Sequence, residues 1–220
     1  MLTLHVDPIT VNCRKVLAGL QLIGVEYEQV TMSIFSEDHK EDSYLALNPN
    51  GTMPLMTEKG FCLWESNAIL QYAADVKGDK STYPSAPQIR ADINRWLLWE
   101  SANWFPSCYL YMVENIAKPL MGLQAEQSLL DNEAERFNKL AAILDSRLAN
   151  QQWLCGDNVT IADIAVAAPM HLHQAAKLPL KPYKHLLRWM TDNIEQLQCW
   201  KNTYVGPDLT LGQANNQNIK

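Results

Sequence analysis

With 220 residues the chain falls between one large domain and two small ones on the usual ~150-residue scale. Its 47% hydrophobic and 19% charged composition excludes a disordered chain. Mean hydropathy is −0.21 and no apolar run approaches ~18 residues, which excludes a membrane-spanning helix. Net charge is −6, with 6 basic and 11 acidic residues in the first 80 and 12 and 13 beyond, so no basic surface is available for nucleic acid.

In chain order, Leu2–Val6 is a short apolar strand stopped by Asp7-Pro8. Cys13, Val16, Leu17 and Leu20 recur at helical spacing, and Gly24 closes that helix. Residues 25–32 alternate as a second strand, and the polar stretch 36–43 leads to a helical turn at 44–47. The cluster Asn48-Pro49-Asn50-Gly51 then predicts a turn. Residues 54–56 and 61–63 read as two strands of a hairpin around Glu58-Lys59-Gly60. Ile69, Tyr72, Ala73 and Val76 mark the next amphipathic helix.

Residues 78–87 have linker composition, and Pro87 suits the first position of a helix. That helix runs through Trp96 and Trp99, and Pro106 is expected to kink it. Leu130, Ala134, Phe137, Ala141, Leu144 and Leu148 step by four and three along a long amphipathic helix. Another helix begins at Thr160, and Tyr183, Leu187, Met190, Ile194 and Leu197 repeat the stepping. Beyond Gly206-Pro207 the tail from Gln213 to Lys220 is polar and expected to fray. The order βαβ, then ββα, then helices alone predicts an α/β unit over 1–77, a linker over 78–87 and an all-α unit over 88–220.

Five cysteines, more than forty residues apart, form neither a disulfide framework nor a zinc motif. The first residues lack a basic stretch followed by an apolar one, so the chain is expected to stay in the cytoplasm with reduced thiols. Dinucleotide, phosphate-loop, nucleophile-elbow and metalloprotease motifs are absent, and no metal is expected. His171 and His173, two apart on an expected helix, point to different faces and cannot share a metal.

Three segments can carry chemistry. Asp7–Lys15 joins the first strand to the first helix, where unpaired amides stabilise an anion. There Thr10 is either a helix cap or a donor to a thiolate, and Cys13 is either a small core residue or a reactive thiol. Pro54, after the Asn50–Met53 turn, is either an ordinary strand-start proline or a cis proline; the latter leaves the Met53 backbone free to pair with an extended peptide. Glu65 and Ser66 open a helix, as capping residues or as a pocket for an ammonium and a carboxylate. A fourth segment, Thr160–Asp163, has the form of a capping box flanked by Val159 and Ile164 at staple positions, and reads as structural.

The stretches PITVNCRKVL (8–17), LALNPNGTMPLM (45–56), ESNAILQYA (65–73) and GDNVTIADIAVA (156–167) together resemble the cytosolic glutathione transferase superfamily. The resemblance implies a thioredoxin-like N-terminal domain followed by an all-helical domain, and a homodimer. It implies glutathione as co-substrate, with no permanently bound cofactor. Thr10 then stands at the sulfur position, where its β-methyl restricts χ1 in a way serine does not, and Asn12 flanks it. Met53, before Pro54, pairs its backbone with the cysteinyl part. Glu65 and Ser66 hold the γ-glutamyl amine and carboxylate, and Lys40, with His39, meets the glycyl carboxylate. Asn103, Trp104, Cys108 and Tyr111 are the candidates for lining a hydrophobic substrate pocket.

The activity so implied is transfer of the glutathione thiolate to a hydrophobic electrophile. The rivals are glutathione-dependent disulfide or peroxide reduction, with Cys13 as an alternative thiol, and a non-catalytic scaffold.

Overall fold

The computed structural model describes residues 1–206; the polar tail from Gln213 to Lys220 lies outside them. The chain begins with β1 (Leu2–Val6), α1 (Val11–Ile23), β2 (Tyr27–Thr31), a 3₁₀ turn (Asp38–Lys40) and α2 (Asp42–Leu45). It continues with β3 (Leu55–Glu58), β4 (Phe61–Trp64) and α3 (Ser66–Lys77). The sheet order is β2-β1-β3-β4, with β1 parallel to β2 and antiparallel to β3, and β3 antiparallel to β4.

Strand alternation sorts β1 between two layers. Leu2, Leu4 and Val6 are buried in the core with α1 and α3, while His5 on the other face meets the ring of Tyr44 from α2 edge-on at 6.2 Å. Gly24 ends α1 with φ 76°, and its N–H donates to the Leu20 carbonyl, a left-handed cap that a side chain would disfavour.

The helical unit starts at α4 (Pro87–Trp99), with Pro87 opening it. It passes through a π segment (Glu100–Trp104) into α5 (Phe105–Met112), a second π segment (Val113–Ala117) and α6 (Lys118–Leu120). The expected disturbance at Pro106 takes the form of the π segment just before it: Pro106 has no N–H to continue the ladder, and five-residue bonding absorbs the gap.

Next come α7 (Gln127–Leu148), α8 (Ile161–Ala167), a 3₁₀ turn (Ala168–Met170) and α9 (Lys184–Arg188). A π segment (Trp189–Asn193), a 3₁₀ turn (Ile194–Gln196) and α10 (Gln198–Asn202) complete the described chain. This is a thioredoxin-like α/β unit followed by an all-helical one.

Arg14 ties the units together. It is buried, its Nε and Nη2 donate to the carbonyls of Thr203 (2.9 Å) and Trp200 (3.1 Å), and its guanidinium lies over the Trp200 ring. Asp163 makes the expected capping box, accepting from Thr160 N and Oγ1, and also accepts from Leu154 N and Trp189 Nε1. His171 and His173 are not on a helix, as expected from sequence, but in the turns after the Ala168–Met170 segment. Pro169 and the 3₁₀ geometry end the helix before them. His171 Nδ1 donates to the Ala168 carbonyl and His173 Nε2 meets Glu195, and no cluster of three or more metal-ligating side chains occurs among the described residues.

Candidate functional site

The sheet register assembles the site. His5 pairs with Leu55 and Leu55 with Trp64. The residues one and two steps further along, Val6-Asp7, Pro54-Met53 and Glu65, therefore lie side by side at one end of the sheet. At that end α1 and α3 both begin.

Asp7 organises the first loop. Its carboxylate accepts from Ile9 N (3.1 Å) and from Ile34 N (2.8 Å), and its carbonyl accepts from both Thr10 N and Thr10 Oγ1 at 3.0 Å. Thr10 is extended at the N-cap position but makes no side-chain cap bond. The first helical bond is Arg14 N to the Thr10 carbonyl, so the amides of Val11, Asn12 and Cys13 are unpaired among the described residues. These amides and the Thr10 hydroxyl form a donor-rich corner.

The Cys13 thiol, unlike its amide, is not open to that corner. The residue is fully buried in the core, and burial pushes its thiol up to about 12, a rise that the adjacent Thr10 hydroxyl only partly offsets. A thiol so placed is neutral near pH 7 and out of reach of a substrate.

Asn48, buried, builds the second loop. Its Nδ2 donates to the Thr52 carbonyl at 2.7 Å, and its Oδ1 accepts from Asn50 N and Nδ2. Tyr44 donates its hydroxyl proton to the same Thr52 carbonyl at 2.7 Å. Gly51 has φ 58°, and a Cβ there would come within 3.3 Å of the His39 carbonyl, so the loop lies directly against residue 39. The Met53–Pro54 bond is cis. The Met53 N–H and C=O have no hydrogen-bond partner among the described residues.

At the third segment Glu65 has φ 74° and ψ 112°, a conformation that costs a non-glycine residue about 1–3 kcal/mol. Its side chain is exposed and has no partner among the described residues, while Ser66 behind it is buried. Ser66 Oγ donates to Asn12 Oδ1 at 3.4 Å and accepts from Lys15 Nζ at 3.1 Å. Lys15 Nζ also donates to Asn67 Oδ1 (3.3 Å) and to both Glu100 carboxylate oxygens (3.0 and 2.9 Å). Asn67 Nδ2 donates to Glu100 Oε2 and to the Leu97 carbonyl, so the helical unit contributes to the floor of the site.

Thr10, Asn12, Met53, Pro54, Glu65 and Ser66 are thus brought to one end of the sheet. Lys40 is not. Its ammonium is exposed and paired with Glu37, whose carboxyl it holds below the usual range. His39 is the inward-facing residue of the pair, with its Nδ1 buried and without a partner among the described residues.

Three of the four pocket candidates belong to the helical core instead. Trp104 is fully buried, donates Nε1 to the Val166 carbonyl and stacks on Trp99. Cys108 is fully buried too, and Tyr111 packs edge-on against Phe137. Asn103 is half-buried, its carbonyl accepting from Arg136. The helical phase explains their burial: Trp104, Cys108 and Tyr111 share the inward face with Ile93, Leu97 and Glu100, leaving Leu98, Phe105 and Tyr109 on the outer one.

Sequence reasoning missed Lys15, Asn67 and Glu100. Glu100 in a helix otherwise studded with tryptophans was the available signal. A cavity of about 530 Å³, lined by His171, His173, Glu195, Trp200, Lys201 and Tyr204 among others, shares no residue with the three segments.

Comparison with known proteins shows the family. Residues 4–75 match the family model for the glutathione S-transferase N-terminal domain, and residues 107–196 match the one for the C-terminal domain. The chain is 32% identical over 199 residues to glutathione S-transferase GstB of Escherichia coli (strain K12), covering 86% of this chain and 91% of the relative. It is 28% identical over 206 residues to glutathione S-transferase F4 of Arabidopsis thaliana, covering 90% and 82%. Among solved structures it resembles glutathione transferase F7 from Populus trichocarpa with a TM-score of 0.84 at 25% identity, over 92% of this chain and 97% of that one. With both domains matched in order, and the donor-rich corner at the head of α1 in the first of them, this chain belongs to the glutathione S-transferase family.

Proposed function

We propose that this glutathione transferase binds glutathione extended across the three segments and uses its thiolate to attack a hydrophobic electrophile. In this reading the unpaired Met53 backbone pairs with the cysteinyl unit. The Glu65 carboxylate takes the γ-glutamyl ammonium, and Ser66 with the free amides of α3 takes the adjoining carboxylate. His39, with Lys40 once it leaves Glu37, faces the glycyl carboxylate. The sulfur then lies at the head of α1, beside Thr10 and flanked by Asn12.

The observation that carries the reading is the Thr10 corner: one hydroxyl and three unpaired amides, converging where the sheet register also delivers Met53 and Glu65. Turning the Thr10 hydroxyl from Asp7 to a thiolate exchanges a neutral hydrogen bond of about 1 kcal/mol for a charged one of about 1.5–3 kcal/mol. The net gain of about 0.5–2 kcal/mol lowers a thiol pKa by roughly 0.4–1.5 units from its usual ~8.5. The helix-start amides add to that. The thiolate forms the new carbon–sulfur bond, the leaving group departs with the bonding electron pair, and the thiol proton has already gone to water.

Calorimetry with glutathione, followed by turnover of an aryl halide beside that of a small mixed disulfide, tests this reading. Binding with aryl halide turnover supports it. Binding with disulfide turnover alone favours the reductase, with glutathione as the reductant. No binding at millimolar glutathione favours the scaffold.

The proposal extends to compartment and assembly. All five cysteines are free thiols, which suits a reducing cytoplasm. Phe61 and Trp64 on β4, with Leu98 on α4 (73% exposed), leave apolar surface on both units that suits a homodimer. Sedimentation at micromolar concentration tests the dimer.

A further inference from the structure

We propose that the buried pair Lys15–Glu100 sets the affinity of the site for the γ-glutamyl carboxylate, with Lys15 as a positioning residue acting through Ser66. This rests on the reading above that Ser66 meets that carboxylate.

The geometry has a direction. Lys15 Nζ touches Ser66 Oγ at 3.1 Å, whereas the Glu100 carboxylate touches Lys15 and Asn67 but not Ser66. The positive end of the pair therefore lies against the hydroxyl and the negative end lies behind it. Lys15 occupies an acceptor position of Ser66, so the hydroxyl has its own hydrogen left to offer. That hydrogen now goes to Asn12 Oδ1 at 3.4 Å, a long bond that an anionic oxygen would readily replace. Lys15 and Glu100 are both essentially inaccessible to water, so their field is little screened at the pocket floor.

A merely structural joint between the two units does not call for this arrangement. Two buried charges carry a desolvation penalty that an apolar pair of similar volume avoids. What the ion pair adds is an oriented charge beneath an anion site, with Asn67 hydrogen-bonded to both partners. The counter-charge comes from the π segment of the helical unit, so the affinity of the α/β unit for one carboxylate depends on its neighbour.

The test compares glutathione with 4-aminobutyryl-cysteinyl-glycine, the same peptide without the γ-glutamyl α-carboxylate, by calorimetry on the full chain. Lys15→Met leaves the Glu100 charge unanswered and should weaken glutathione about tenfold or more, with little effect on the analogue. Glu100→Gln should bind glutathione as tightly as the wild type or more tightly. The double variant Lys15→Met/Glu100→Gln carries no lone buried charge and should fold; it should lose glutathione affinity several-fold and leave the analogue unchanged. If a single variant fails to fold, the double variant decides. Equal losses for both peptides, an unchanged affinity in the double variant, or weakening by Glu100→Gln would overturn the proposal. Ser66→Ala is the control on the underlying site: if it weakens both peptides alike, the carboxylate lies elsewhere and the placement of glutathione has itself failed.

Discussion

The Thr10 hydroxyl donates its proton to the Asp7 carbonyl, 3.0 Å away and three residues back in the same loop. The group expected to stabilise a sulfur anion is thus engaged, and the service proposed for it is an exchange of acceptors. Asp7 is anchored by Ile9 and Ile34, so it holds the hydroxyl at the mouth of the helix without locking it.

That exchange makes Thr10→Ala informative. The acid limb of the kcat/KM profile should move up by about one pH unit, and turnover at neutral pH should fall up to about tenfold. Glutathione affinity should change little, because the proposed placement holds the peptide's charged ends elsewhere. Thr10→Ser, free of the β-methyl, should keep the wild-type profile. A profile indifferent to Thr10→Ala would show that the helix amides suffice.

Cys13→Ala should leave turnover of both an aryl halide and a mixed disulfide within about twofold of the wild type. The thiol is buried and its pKa is pushed up to about 12 by desolvation. Removing one buried sulfur should lower stability by about 1 kcal/mol, measured by urea unfolding. A thiol reagent should modify Cys13 only as the chain unfolds.

Asp163 accepts four hydrogen bonds in a fully buried setting. Asp163→Ala orphans the Leu154 and Thr160 amides and the Trp189 indole N–H, and should cost about 3–5 kcal/mol in urea unfolding. Thr160→Ala removes one hydroxyl and should cost about 1 kcal/mol.

His171 governs part of the acid response. Burial, with Arg14 nearby, lowers its pKa to about 3 from an unfolded 6.5. The neutral ring therefore contributes stability that is complete above pH 6.5 and is lost as pH falls towards 3, at up to about 1.4 kcal/mol per unit. Asp163 acts in the opposite sense. Its folded pKa is raised by burial to about 6, above the unfolded 3.8, so its contribution is complete below pH 3.8 and is lost as pH rises through 6. The two offset one another between pH 6 and 4. In His171→Gln the stability at pH 5 relative to pH 7 should rise by about 2 kcal/mol compared with wild type, read from urea unfolding at each pH.

Much of the fold was legible because it rests on local rules. The 13/16/17/20 stripe and Gly24 marked α1, the Lys59-Gly60 turn marked the hairpin, and Thr160 with Asp163 marked the start of α8. Each of these signals is complete within a few residues. The helix around His171 was misread because Pro169 and 3₁₀ geometry end it early. For Trp104, Cys108 and Tyr111 the spacing shows that they share a face, but not how far that face is buried in the core.

The chain's order of residues determined the elements, the donor-rich start of α1 and the family, since turn chemistry, capping and hydrophobic periodicity act over short range. Tertiary packing alone decided that Cys13 is buried, that Lys40 turns outward while His39 turns inward, and that Ser66 rests on a lysine paired with Glu100, 85 positions further along. Burial and the meeting of distant charges depend on how helices pack across the two units, and no local pattern carries that information.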